Sequence, residues 1–151
     1  MANTQGMCSS FKRDILMAYH ALGTTVTRGA TTADTIKAAL FLATASRGPS
    51  DTTYTATGEV SGTNYSAGGV TVTNATAPSL DGTTAHWTPS ASIVYTNVTL
   101  ATAFDAVMLY NSTQSDKSIA VFTFGSQTVT AGDFTLTMPT DDGTTGLIRI
   151  A

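Results

Sequence analysis

The side chains able to carry acid–base, nucleophilic or metal chemistry are few and scattered. His20 and His86 are the only histidines, Glu59 the only glutamate and Cys8 the only cysteine. A catalytic base needs a group that orients it and a reacting proton within hydrogen-bond reach. The sequence names no such partner for either histidine: His20 falls in an expected helix and His86 in an expected loop, where surface or packing roles are the ordinary use. Serines are plentiful, but the Gly-x-Ser-x-Gly elbow of a serine hydrolase is missing. Glu59 with a distant aspartate would suit glycoside chemistry, yet no row of groove-lining aromatics accompanies it. Asp141-Asp142-Gly143 looks like a fragment of a calcium loop without its flanking spacing or terminal acidic ligand, and reads as a hydrated turn. Gly58, Gly62, Gly68 and Gly69 lead into the alternating Val70-Thr71-Val72-Thr73 of a strand, whereas a phosphate-cradling glycine loop leads into a helix. The sequence therefore assigns no catalytic, cofactor-binding or metal-binding residue.

Composition points to a scaffold. Threonine supplies about a fifth of the 151 residues, while Lys, Arg, Asp and Glu together make up 11%. Threonine forms strands, packing its methyl group and leaving its hydroxyl to water. The formal charge of -3 provides no positive field to hold nucleic acid. Lys12-Arg13 is followed at once by Asp14 and the other basic residues are dispersed, so direct nucleic-acid contact is not expected. A single cysteine excludes an internal disulfide, and Cys8 reads as a small packing residue. Met1 to Met7 is too polar for a signal-peptide core, and no apolar run approaches a membrane span. Formal glycosylation sequons, among them those at Asn74, Asn97 and Asn111, arise easily by chance in a threonine-rich chain.

The elements that would position any site are mostly strands. Residues 1–10 read as an N-terminal arm, and residues 11–151 as a single β-sandwich domain. Ser9 or Ser10 caps an expected helix with Phe11, Ile15, Leu16 and Tyr19 near one face, stopping at Gly23. Thr35 to Thr44 is expected to be a strand. Pro78 to Pro89 reads as a surface connection with Trp87 near its end, a residue that folds back to close the core, anchors an interface, or does both in an oligomer. Ser92 to Val98 is a strand. Phe104 to Tyr110 is the most apolar run, hence a central strand, and Asn111 to Lys117 a polar hairpin from which SIAVFTF returns. Ser126 to Thr130 and Asp133 to Met138 are short strands hinged at Ala131-Gly132, and Leu147 to Ile150 closes the sheet. The class that follows is mainly β: an antiparallel β-sandwich or jelly roll of about seven or eight strands with a short N-terminal helix.

In order, FKRDILMAYHAL, DTIKAALFLA, YTATGEVSGTNYSAGG, IVYTNV, AVMLYNSTQSDKSIAVFTFGSQTVTAGDFTLTMP and the terminal LIRIA resemble a family of small tailed-bacteriophage proteins encoded among the virion structural genes. Asn64 and Ser66 depart mildly from it, standing where relatives tend towards Gly and Thr. The resemblance implies a non-enzymatic capsid decoration or cement protein without a cofactor, made in the host cytoplasm and bound to the outer capsid surface. Its implied partners are the major capsid protein and itself, as a dimer or trimer, with no direct nucleic acid and no membrane. On this reading the arm and helix, with Phe11, Lys12 and Arg13, contact the capsid or a sister copy, and Tyr54, Tyr65 and Trp87 anchor the loop surface. A tail, neck or fibre-associated protein in contact with host glycans is the alternative, because a β-sandwich serves that use equally well.

Overall fold

The computed structural model describes residues 2–8, 11, 15, 19–24 and 33–151. The chain is mainly β. Its described strands are β1 (Gly6–Met7), β2 (Ile36–Leu42), β3 (Val70–Thr71), β4 (Ser79–Asp81), β5 (Thr84–Trp87), β6 (Ile93–Asn111), β7 (Lys117–Leu136) and β8 (Ile148–Ile150). They form a five-stranded sheet in the order β1-β7-β6-β2-β3 and a three-stranded sheet β4-β5-β8, antiparallel throughout and consistent with a β-sandwich.

β2, IKAALFL, lacks polar alternation because both of its faces are covered; Ala38, Ala39, Leu40 and Phe41 are all fully buried. It pairs with the C-terminal half of β6, from Ile36 opposite Asn111 to Leu42 opposite Phe104. That half is the apolar run expected at the centre. The two strands expected at 92–98 and 104–110 are joined into one, and those at 126–130 and 133–138 continue the strand that begins at Lys117.

What looked like strand ends are bulges. The β6–β7 register shifts between Tyr95 and Val98 and again up to Ala106, and Asn97 and Ala131 take positive φ of 49° and 46°. A bulge frees a backbone N–H from the ladder, and each is caught across the ribbon: Asn97 N–H donates to Asp133 Oδ1 at 2.7 Å, and Ala131 N–H to Thr99 Oγ1 at 3.0 Å. These kinks fold the ribbon back on itself. Phe124 and Phe134 are ten residues apart and would be separated by about 33 Å along a straight strand, yet their ring centroids are 5.4 Å apart. Phe134 also meets Phe104 edge-on at 5.0 Å.

Three further expectations change. Residues 78–89 are not a bare connection but hold the β4–β5 hairpin, turned at Gly82-Thr83 with Gly82 at φ 59°, the conformation that favours glycine at the first loop position. The arm is seated on its own domain: β1 pairs with Val121 and Ala120, Thr4 N–H donates to Arg47 O at 2.7 Å, and Cys8 is fully buried. Half of the expected helix, residues 12–14 and 16–18, lies outside the described residues, and no helix is delineated among those described. Phe11 and Ile15 have helical backbone, but Tyr19 to Leu22 do not. Ala21 instead exchanges bonds with Asp34, donating to Oδ2 at 3.0 Å and accepting from its N–H at 3.3 Å. One core joins the two sheets: Trp87 and Ile148 belong to the same buried cluster as Phe41 and Leu109.

Candidate interaction surface

Glu59 stands where the 43–69 loop touches β2. Leu42 N–H donates to Gly58 O and Val60 N–H to Leu40 O, so the loop docks on the strand by its backbone. The Glu59 carboxylate then accepts from Tyr54 Oη at 2.5 Å, Tyr65 Oη at 2.7 Å and Gly68 N–H at 2.8 Å. Tyr65 Oη in turn accepts from Leu40 N–H at 3.0 Å, and Tyr110 Oη donates to Gly68 O at 2.8 Å. Glycine is required at position 69, where a Cβ would lie 1.7 Å from Ala38 O. The rings stack in two pairs, Tyr54 on Tyr110 at 4.5 Å and Tyr65 on Tyr95 at 5.9 Å. Burial first, then donation to Glu59, holds the Tyr54 and Tyr65 phenols well above their ordinary range. Burial and the nearby Asp116 and Glu59 charges push Tyr110 to about 12. With three donors already on it, and with phenols and an amide rather than a second carboxylate as its bonded neighbours, Glu59 is arranged as a clamp on the loop. A glycosidase pair needs two carboxyl groups facing one bond.

The remaining polar candidates are also tied into the fold. His86 lies in β5 rather than a loop, 8% exposed, with Nδ1 2.9 Å from Asp141 Oδ1. His20 Nδ1 is 3.2 Å from Asn111 Nδ2, and Asn111 also donates to Asp34 at 2.7 Å. Asn111 is fully buried and Oδ1 caps the turn N–H groups of Thr113 and Gln114 at 3.1 Å, so its sequon is a hairpin cap. Asp142 accepts from Thr145 N–H at 2.6 Å, Thr144 N–H at 2.8 Å and Thr145 Oγ1 at 3.0 Å. Those bonds, the backbone N–H of Thr145 foremost, hold its carboxyl below the usual range. The Asp141-Asp142-Gly143 segment is thus a side-chain-capped turn. Burial raises the Cys8 thiol, opposite to what a reactive cysteine needs. Among the described residues, no group of three or more His, Cys, Asp or Glu is placed to hold a metal ion, and no helix is long and apolar enough to cross a membrane.

The described residues among those expected at an interface are drawn into the fold. Phe11 is fully buried and meets His20 edge-on at 4.8 Å. Trp87 is 1% exposed and donates its indole N–H to Asn74 Oδ1 at 3.2 Å, which fits the core-closing role. Tyr54 and Tyr65 direct their hydroxyls into the Glu59 clamp. Lys12 and Arg13 lie outside the described residues. The physical reason is economy of aromatics: a domain this small fills its core with most of the large rings it has.

The surface with binding character lies instead where the folded ribbon fails to close. A cleft of about 330 Å³ opens there. Its walls are Ile93, Phe122, Phe124, Leu136, Met138 and Leu147, with Val107 and Leu109 at its base and Gln5, Thr123, Thr135 and Thr137 as its polar lining. No lining residue is ionisable. Two alternating runs, Phe122-Thr123-Phe124 and Leu136-Thr137-Met138, supply much of the wall, and their strand period was readable. Their meeting was not, because it depends on the fold of the ribbon.

The chain matches no known family profile, no curated protein and no solved structure.

Proposed function

We propose that this chain is a structural protein of a tailed-phage particle that binds the outside of the capsid and stabilises junctions between major capsid proteins. The observation that carries this reading is the open, uncharged apolar cleft at the mouth of the β6–β7 ribbon. An extended, uncharged segment of the major capsid protein fits it: apolar side chains enter, and the polar edge meets Gln5, Thr123 and Thr135. Each apolar side chain buried is worth about 1.5–3 kcal/mol, a modest contact that becomes effective by repetition over many junctions.

The rest of the molecule supports a binding role by holding the cleft rigid. The bulge braces at Asn97 and Ala131 fix the bend of the β6–β7 ribbon whose residues wall the cleft, and lower the ordering cost that association would otherwise incur. The ordered sequence resemblance to small virion proteins points the same way.

Cryo-electron microscopy of purified particles tests the proposal. The expected result is density for this chain at capsomer junctions across the shell, with a capsid-protein segment in the cleft. A few copies confined to the portal, neck or fibres would replace it with the tail reading, and absence from the particle would refute both.

A further inference from the structure

We infer that the tip of the three-stranded sheet is a twofold interface between two copies of this chain, formed by edge-to-edge pairing of β4 about Leu80. The inference does not rest on the capsid reading; it concerns the chain wherever it acts.

The ladder register carries the argument. Leu80 lies opposite Ala85, and Ala85 opposite Ile150, so the three share one face in a cross-strand row. Trp87 and Ile148 form the next pair along that same face. They are 1% and 5% exposed, whereas Leu80 is 71% and Ile150 42% exposed. One apolar face is therefore core at one end and open at the other. Beside the open end runs an apolar cleft of about 170 Å³, lined by Phe11, Ile15, Leu22 and Pro78 as well as by Ala85 and Ile150.

β4 is also an edge. It pairs with β5 on one side, no described residue pairs with its other side, and all three of its residues are exposed. Such an edge, short but carrying an exposed leucine at its centre, is a template for another strand. Its own copy satisfies that template in the register centred on Leu80. Antiparallel pairing centred on Leu80 sets Leu80 against its counterpart and Ser79 against Asp81. Centring on Asp81 would oppose two carboxylates, and a slip of one residue between the strands would turn the apolar row to the wrong face. In the Leu80 register the two small sheets become one of six strands, with Ile150, Ala85 and Leu80 of each copy in a continuous row. An isologous contact of this kind closes at two copies.

Sedimentation of the purified chain over a range of concentrations should show a reversible dimer. Leu80→Asp places two carboxylates on the axis and should raise the dissociation constant about 100-fold or more. Its far-ultraviolet circular dichroism should stay unchanged, because Leu80 is mostly exposed. Leu80→Cys should form a covalent dimer under mild oxidation, since residues opposite one another in an antiparallel pair have Cα atoms about 4.5–5.5 Å apart, within disulfide reach. Thr83→Cys, at the turn, should not, and nor should the wild type, whose Cys8 is buried. A wild-type chain that is monomeric throughout, a dimer indifferent to Leu80→Asp, or a dimer in which Leu80→Cys fails to cross-link would each overturn the inference.

Discussion

Removing the Glu59 carboxylate tests the claim that one side chain holds the 54–69 loop. Oε1 accepts from Tyr65 and Gly68, and Oε2 from Tyr54. In Glu59→Gln the amide oxygen keeps the first two partners, and Tyr54 must turn its hydroxyl to accept from the new NH₂ group. All three bonds survive in altered form but lose the charge that makes such bonds roughly twice as strong as neutral ones. At about 0.5 kcal/mol each, the expected loss is about 1.5 kcal/mol. In Glu59→Ala all three donors lose their acceptor. Three bonds to a charged group set a ceiling of several kcal/mol, and water reaching the partly exposed Tyr54 lowers the expected loss to about 4 kcal/mol. Guanidinium unfolding followed through Trp87, the only tryptophan and a buried one, measures both. The glutamine variant should also melt about 3–6 °C lower. Glu59→Ala within about 1 kcal/mol of wild type would refute the clamp, because that is what an exposed carboxylate outside any network costs.

Four further outcomes follow from the same geometry. Because folding raises the Tyr54, Tyr65, Tyr95 and Tyr110 phenol pKa values, their stabilisation is complete below the unfolded value of about 10 and is lost as pH rises towards the folded values. At about pH 11 the native chain should therefore show less tyrosinate absorbance than the chain unfolded in guanidinium; equal absorbance would contradict the buried phenols. Ala131→Gly relieves a left-handed alanine worth about 1–2 kcal/mol of strain at a smaller entropic cost, so unfolding free energy should rise by about 0.5 kcal/mol. Deleting residues 1–8 removes β1, the Thr4 bond to Arg47 and the buried Cys8, and should lower stability by about 3 kcal/mol or more, where a free arm would leave the melting curve unmoved. Thr135→Asp puts a carboxylate on the exposed rim of the large cleft and should cut capsid occupancy about tenfold or more in a particle-binding assay, with the melting temperature held within about 2 °C.

Much of the local grammar was legible. Thr35 to Thr44 read as a strand, and Phe104 to Tyr110, apolar but for Asp105, as a central one. Asn111 to Lys117 read as a hairpin, and Trp87 as a residue able to close the core. The Asp81-Gly82 turn was equally available as a hairpin signal, since a positive-φ position at the first loop residue selects glycine, but its short flanking strands kept it looking like a connection.

Other features were set by residues distant in sequence. The strand end expected at Val98 and the hinge expected at Ala131-Gly132 look like breaks until Asp133 and Thr99 supply the acceptors, for the N–H groups of Asn97 and Ala131, that let a strand pass through a bulge. Tyr54 and Tyr65 look like exposed anchors until Glu59 draws their hydroxyls inward. The amino-acid sequence alone settled the class, mainly β with neutral threonine-rich faces, because strand propensity and hydrophobic alternation act over a few neighbouring residues. Only the tertiary structure decided which apolar side chains became core and which became surface. That choice depends on where a ribbon of two strands, 19 and 20 residues long, bends, and bending is governed by contacts across the fold rather than along the chain.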